Sequence, residues 1–270
     1  MQRTLIKELS AHVGEQVIVK GWVSVRRDQG KMIFLDIRDR SGSVQAVILP
    51  KSEALETAKT LTLESVVSVK AQINKRPEKN INPDVANGDI ELEILELEIL
   101  ALAQTLPFDM SEKGYNLDLV TELDHRSLTL RHRKNQAIFK VQAVIIDSFR
   151  EYMKQQDFME FQAPSIAPAV AEGGAEVFQV NYFDHKAYLS QSPQLYKQIA
   201  MSAFERVFSV NKIFRAEPSA TTRHLTEVVS LDAEMSFIDT WEEVRDMSEE
   251  TVRYILEQLK EKCAEELKFL

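Results

Sequence analysis

Apolar and polar residues alternate with a period of two through residues 16–25, 31–37, 43–49 and 66–73. That period predicts strands with one face buried. Residues 90–102 alternate too, but the apolar set moves from Ile90, Leu92 and Ile94 to Leu95, Leu97 and Ile99. A slip of one residue in a long strand predicts a β-bulge or a strong bend. Ser41 and Gly42 mark a turn between the second and third strands, and residues 51–63 have helix composition. Five strands with a helix between the third and fourth is the element order of an OB-fold barrel. Residues 104–116, with Pro107 and Gly114, read as a linker.

The period then changes. In residues 135–156, Ile138, Val141, Ile145, Phe149 and Tyr152 recur at helical spacing. A short strand over 158–161 is closed by Pro164. Residues 187–204 read as a turn followed by a helix after Pro193. Two strands, 206–215 and 228–238, flank a polar loop. Thr240 and Glu243 form a capping box. The helix that follows carries Val244, Met247, Ile255, Leu259, Cys263 and Leu267 on one side and an acidic polar face.

Composition narrows the classes. The 270 residues are 44% hydrophobic and 28% charged, the usual globular balance. No apolar run approaches the roughly 20 residues of a membrane span, and residues 1–8 carry no secretory pattern. The single cysteine, Cys263, excludes a disulfide framework and a Cys-based zinc site. A cytoplasmic setting is expected. The charge sum is 33 − 42 = −9, which excludes a wholesale basic nucleic-acid coat but not a local patch. There are 8 glycines and none after Gly174. Gly14, Gly21, Gly30, Gly42, Gly88 and Gly114 are isolated, so phosphate loops and dinucleotide folds are excluded.

Two clusters carry candidate chemistry. On the first half, Arg26, Arg27, Lys31, Arg38 and Arg40 surround Phe34, and Lys75, Arg76 and Lys79 precede the last strand. OB-folds bind single strands by stacking bases on aromatic rings beside cations. The plainer reading makes Phe34 a core residue and the cations solvated. On the second half, Arg215 and Glu217 end one strand, Arg223 and His224 lie in the loop, and Asp232 and Glu234 follow on the return strand. Guanidinium forks suit a polyphosphate, and the carboxylates suit a metal ion or an ammonium group. The plainer reading is a surface hairpin with ion pairs.

Longer motifs bear on both clusters. Residues 210–217, VNKIFRAE, with 221–227, TTRHLTE, and 232–235, DAEM, resemble motif 2 of class II aminoacyl-tRNA synthetases, in the form of archaeal and eukaryotic aspartyl-tRNA synthetases. Residues 191–198, QSPQLYKQ, resemble that family's amino-acid-binding segment, and 171–176, AEGGAE, its mobile flipping loop. Residues 158–164 resemble motif 1, with Pro164 as its proline. Gly21-Trp22-Val23, Arg26-Arg27-Asp28 and Arg76-Pro77-Glu78 resemble its anticodon-binding barrel, in a more bacterial form. The resemblance implies an OB-fold domain over 1–105, a linker over 106–133, and over 134–270 the N-terminal part of an antiparallel-sheet catalytic domain with flanking helices.

It also implies roles. The family is an ATP-dependent aspartate–tRNA ligase that forms aspartyl-adenylate and charges tRNA(Asp), in some members tRNA(Asn) as well. Arg215 would grip the α-phosphate and the reacting carboxylate. Glu217 would sit by the adenine or a magnesium ion, and Arg223, His224 and Leu225 by the outer phosphates. Glu172, Ser192, Gln194 and Asp232 would surround the α-amino group, with Lys197 facing the side-chain carboxylate. Arg26, Phe34, Gln45 and Glu78 would contact tRNA. No magnesium ligand is assignable in this chain. Motif 1 lies at a subunit contact in the family, which implies a homodimer.

The family's glycine-rich motif 3 and its ATP-clamping arginine would lie beyond residue 270. The expectation is an incomplete form that does not complete the reaction alone. Ala171 also departs from the Ser or Thr common before Glu-Gly-Gly. Two rival readings stay open. An asparaginyl-tRNA synthetase shares the fold, although Lys197 and Asp232 favour a carboxylate substrate. A non-catalytic tRNA-binding paralogue would end near Leu270.

Overall fold

The computed structural model describes residues 2–83, 85–111, 114–171, 176–218, 221 and 224–270. The chain divides into two compact units, Met1–Asn116 and Leu117–Leu270.

In the first unit, β1 (Gln16–Asp28), β2 (Ile33–Asp39), β3 (Gly42–Ile48), β4 (Val66–Lys75) and β5 (Ile90–Ala101) close into a barrel of order β1-β2-β3-β5-β4. Neighbouring strands are antiparallel except β3 and β5. This is the barrel expected from the strand order. Alternation puts Ile33, Leu35 and Ile37 of β2 inside at 0% exposure, with Val67, Val69, Ala71 and Ile73 of β4. Each large aliphatic so buried contributes about 1.5–3 kcal/mol. A 3-10 turn over Ile6–His12 adds Ile6 and Leu9 to this core. The short helix α1 (Ala54–Lys59) lies between β3 and β4 and packs Ala54 and Ala58 against it.

The slip in β5 is real and local. Lys70 pairs with Glu96 while Ala71 pairs with Ile94, so Leu95 is the extra residue. Gly21 is required where β1 crosses β2. A Cβ there would lie 2.3 Å from the Arg38 carbonyl oxygen and 2.9 Å from Ile37 Cγ2. Beyond β5, Thr62 Oγ1 donates to the Ala103 carbonyl at 2.6 Å and Ala103 N–H donates to Ser65 Oγ at 3.1 Å. These two bonds fasten the start of the irregular segment to the barrel.

The second unit opens with α2 (Leu119–Asp124) and α3 (Arg126–Thr129), two short helices that sequence periodicity does not reveal. The long helix α4 (Arg133–Gln155) follows, close to the expected span. A three-stranded sheet of order β11-β10-β6 joins β6 (Met159–Glu160), β10 (Arg206–Phe214) and β11 (Glu227–Met235). β10 and β11 are antiparallel; β6 runs parallel to β10. A second sheet of order β7-β9-β8 comprises β7 (Ile166–Ala167), β8 (Gln179–Tyr182) and β9 (His185–Leu189). The turn expected from residue 187 is therefore a strand as far as Leu189. Its helical sequel, α5 (Gln194–Phe204), does begin after Pro193.

The helix α6 (Trp241–Lys262) starts at Thr240, where Glu243 accepts the backbone N–H groups of Asp239 at 2.8 Å and Thr240 at 3.2 Å. Its inner face packs Met247, Tyr254 and Ile255 on a core of Phe149, Tyr152, Met153, Phe158 and Phe208. Phe149 and Phe208 meet edge to face at 5.6 Å. Val244 and Leu267, expected on that inner side, are 42% and 40% exposed. Val244 lies one turn before the partly buried Met247, and α6 ends at Lys262, so Leu267 falls in a separate 3-10 turn over Glu266–Lys268. The scarcity of glycine has a structural cost here. Asp157, Phe183, Glu205 and Phe237 take positive φ without being glycine, at about 1 kcal/mol or more each.

Candidate functional site

On the second unit the candidate site is built by the start of α5 and the β10–β11 hairpin. Phe214 N–H donates to the Ser190 carbonyl at 2.8 Å, which stitches the end of β10 to the segment entering α5. Ser192 Oγ accepts the Gln194 N–H at 3.0 Å and so closes the turn into the helix. Pro193 then supplies a fixed φ at the helix entrance. One turn on, Lys197 points to the sheet rather than to solvent.

Lys197 Nζ lies 3.0 Å from Asp232 Oδ1 and 3.0 Å from Glu234 Oε2. Asp232 and Glu234 are two residues apart on β11, so they project from the same face of the strand. The Lys197 side chain is only 12% exposed. Burial alone would push its ammonium down. Hydrogen bonds and charge from Glu234 and Asp232 outweigh burial and hold it above its ordinary value. A surface hairpin of solvated ion pairs does not look like this.

Arg215 follows β10 with its side chain exposed, and its N–H donates to the Thr226 carbonyl at 3.0 Å. Glu217 is half-buried beyond it. The Ala216 N–H donates to the Glu176 carbonyl at 3.0 Å, and Gln191 Nε2 donates to the same oxygen at 3.5 Å. Glu176, the last residue of the expected flipping loop, is thus anchored beside both segments. Glu172 and Arg223 lie outside the described residues. His224 Nδ1 is 2.8 Å from Thr221 Oγ1, and Leu225 is 58% exposed at the loop's end. The structure therefore brings Lys197 and Asp232 into contact; Ser192 and Gln194 lie at the start of α5, within a turn of Lys197, and Arg215 and Glu217 follow the end of β10. Glu234, which the sequence marks with Asp232 as a carboxylate suited to a metal ion or an ammonium group, meets the Lys197 ammonium as well. Among the described residues no group of three His, Cys, Asp or Glu side chains is arranged to hold a metal ion.

On the barrel, Phe34 is on the outer face between the buried Ile33 and Leu35, not in the core. It pairs with Arg27 on β1 and with Val47 on β3. Arg27 donates to Asp36 and to Gln45 Oε1, both at 3.1 Å. Gln45 Nε2 reaches Glu91 at 3.5 Å. Phe34, Arg27 and Gln45 so form one patch of aromatic ring, cation and amide. Arg26 is used otherwise. Its Nε donates to the Ala58 carbonyl at 3.1 Å and its Nη2 to the Lys59 carbonyl at 3.3 Å, both at the end of α1. Glu78 is exposed in the 3-10 turn between β4 and β5. No described helix is long and apolar enough to cross a membrane.

Comparison with known proteins matches both units. Residues 17–100 match the family OB-fold nucleic acid binding domain, and residues 118–269 match tRNA synthetases class II (D, K and N). The aspartate–tRNA(Asp/Asn) ligase of Methanopyrus kandleri is 41% identical over 263 residues, 95% of this chain and 59% of its own length. An asparagine–tRNA ligase of Desulforamulus reducens is 37% identical over 272 residues, 100% of this chain and 61% of its own. The crystal structure of asparaginyl-tRNA synthetase from Pyrococcus horikoshii with asparaginyl-adenylate superposes with a TM-score of 0.89 at 33% identity, over 99% of this chain and 60% of that one. The chain thus spans about three fifths of the length of these relatives. The chain belongs to the class II aminoacyl-tRNA synthetases of the aspartate, asparagine and lysine group, with an OB-fold anticodon-binding domain preceding the synthetase domain.

Proposed function

We propose that the chain is the aspartate-activating, tRNA-binding part of an aspartate–tRNA ligase. The Lys197 cluster carries this reading. An ammonium has three N–H donors; Asp232 and Glu234 answer two of them, and among the described residues the third is left for a ligand. A ligand carboxylate there gains a charge-assisted bond. The amide of asparagine offers a weaker acceptor and brings donors toward a cation, a mismatch that discriminates strongly in a partly desolvated pocket. Asparagine ligases are nearly as similar to this chain as aspartate ligases, so the choice rests on this pocket.

In this reading Ser192, Gln194, Asp232 and Glu172 receive the α-ammonium. The α-carboxylate then attacks the α-phosphorus of ATP. A P–O bond forms, the bond to pyrophosphate breaks, and aspartyl-adenylate remains. Arg215 bridges the carboxylate and the α-phosphate and stabilises the charge that grows between them. Glu217 faces the adenine side, and Arg223, His224 and Leu225 hold the outer phosphates. Phosphate charge would be neutralised further by magnesium carried on ATP, which no cluster among the described residues is arranged to hold. A ribose hydroxyl at the tRNA 3′ end then displaces AMP from the adenylate. On the barrel, Phe34 stacks an anticodon base and Gln45 reads an edge, with Arg27 neutralising phosphate. Arg26, which also braces α1, and Glu78, on the 3-10 turn between β4 and β5, add contacts to the tRNA. A cytoplasmic homodimer completes the picture.

ATP–pyrophosphate exchange by the full-length gene product tests the substrate. Exchange should require aspartate and hardly respond to asparagine. Lys197→Met should cut it by about a hundredfold or more while ATP still binds, the loss expected when a charged partner of the substrate is removed. Exchange that runs on asparagine, or survives Lys197→Met, defeats the assignment. For the barrel, Phe34→Ala in the full chain should weaken anticodon-loop binding by about 1–3 kcal/mol. Unchanged affinity defeats the stacking role. Charging assays with tRNA(Asp) and tRNA(Asn) decide the range of acceptors, and sedimentation decides the dimer.

A further inference from the structure

The Lys197 cluster holds one more carboxylate than recognition of an α-ammonium needs. Asp232 and Glu234 are both within 3.0 Å of Nζ, with side chains 19% and 27% exposed. Across β10 the registers facing them are Ser209 and Val207, neither of which is charged. Helix α5 adds no second charged residue between Gln194 and Phe204. Among the described residues, Lys197 is therefore answered by these two carboxylates.

The two are not equivalent in position. The β10–β11 hairpin runs from the pair Phe214–Glu227 at its loop end to Arg206–Met235 at its far end. Asp232 lies nearer the Arg215 end and Glu234 farther from it, about 7 Å apart along the strand. Granting the pocket reading above, that order fixes the direction of the ligand. The reacting carboxylate must face Arg215, so the α-ammonium falls beside Asp232 and the side chain extends toward Glu234. Once Asp232 engages the α-ammonium, Glu234 is the carboxylate left to hold Lys197.

We propose that Glu234 is a positioning residue: it holds the Lys197 ammonium in line to receive the side-chain carboxylate of the amino-acid substrate, while Asp232 is released to the α-ammonium. Its removal leaves a long, flexible side chain to find the ligand by itself. That loss exceeds the relief of repulsion between Glu234 and an anionic substrate.

One readout needs no turnover. The full chain is acylated with an amine-selective reagent across a pH series, and Lys197 is followed by mass spectrometry. In the wild type Lys197 should become reactive only above its ordinary value of 10.5. Glu234→Gln should move that midpoint down and leave exposed Lys154 unmoved. Glu234→Asp, which keeps the charge one methylene short, should move it less. In the full-length gene product, Glu234→Gln should raise KM for aspartate about tenfold with kcat changed less than about twofold. Asp232→Asn should weaken aspartate and asparagine alike, because both carry the α-ammonium. A Lys197 midpoint that stays put, or an aspartate KM unchanged or lowered in Glu234→Gln, overturns the proposal. A wild type that prefers asparagine overturns the pocket reading instead, and the acylation series still tests Glu234.

Discussion

The barrel and the synthetase unit solve the burial problem in different ways. The barrel closes on itself. All five strands have two neighbours, and inward residues such as Ile33, Leu35, Val69 and Ile90 reach 0% exposure. The synthetase unit buries a smaller set around Phe149 and Phe208, and among the described residues its three-stranded sheets stay open. Leu119, Val120, Ile199, Phe237, Trp241 and Val252 each remain more than half exposed. A closed barrel gives a rigid base whose outer face is free to carry Phe34, Arg27 and Gln45. An open sheet leaves its chemistry, Lys197 with Asp232 and Glu234, on a face that other groups can reach. Apolar burial is concentrated in the first unit, and the half-buried ion-pair cluster of the candidate site lies in the second.

The contrast breaks most visibly when the units are parted. Residues 2–116 should fold alone as a cooperative β domain, because the buried residues of the barrel core all lie within them. Residues 117–270 alone should show a shallow, concentration-dependent transition and self-association, as exposed apolar area of this extent does. Circular dichroism melts of the two pieces check this. Equal, sharp transitions would mean that the second core is as self-sufficient as the first.

A smaller effect sharpens the same contrast within single side chains. Ile37→Ala removes a fully buried side chain and should cost about 2–5 kcal/mol. Leu256→Ala, on the outer side of α6 at 52% exposure, should cost less than about 0.5 kcal/mol. Urea titration of the full chain gives both. A large loss at Leu256 would show that the outer side of α6 is packed in solution.

How much was legible follows the same division. The barrel was readable because period-two alternation reports directly on a sheet with one buried face, down to the slip at Leu95. The helices α4 and α5 and the hairpin β10–β11 were readable for similar reasons. The short elements α2, α3, β7 and β8 were not, since runs of two to six residues carry too few positions for a period. In the site, the residue types and spacing marked Arg215, Lys197 and Asp232 through their resemblance to a family. They did not show that Glu234 shares Lys197, because that depends on how α5 docks on β11, a contact between residues 37 apart in sequence. Arg26 and Arg27 are adjacent and chemically identical. Only strand pleat and the position of α1 reveal that one braces a helix while the other joins the patch beside Phe34.

The mildest test asks what seals the barrel's end. Asp39 ends β2, and its side chain is completely buried. Its Oδ1 accepts from Ser41 N–H at 2.7 Å and Ser41 Oγ at 2.6 Å, and its Oδ2 accepts from Ile6 N–H at 3.1 Å with Arg3 at 3.5 Å. The carboxylate therefore ties the N-terminal turn, with its core residues Ile6 and Leu9, to the β2–β3 turn. Burial alone would raise its pKa; the bonds from Ser41 and Ile6 and the charge of Arg3 outweigh it and hold the carboxyl below its ordinary 3.8. A carboxyl lowered on folding stabilises the fold fully above its unfolded value, and that share is lost as pH falls through the folded one. The barrel should thus keep this contribution at neutral pH and surrender it only below pH 3.8. Asp39→Asn turns one acceptor into a donor facing an N–H or hydroxyl group and should cost about 1–3 kcal/mol at pH 7. The difference between wild type and variant should shrink below pH 3.8, read from urea midpoints at pH 7, 4.5 and 3 (three arbitrary settings, roughly spanning the carboxylate range). A variant gap that stays constant across that series would mean that Asp39 acts by shape alone, and that the barrel's end is sealed by Ile6 and Leu9 without the charge.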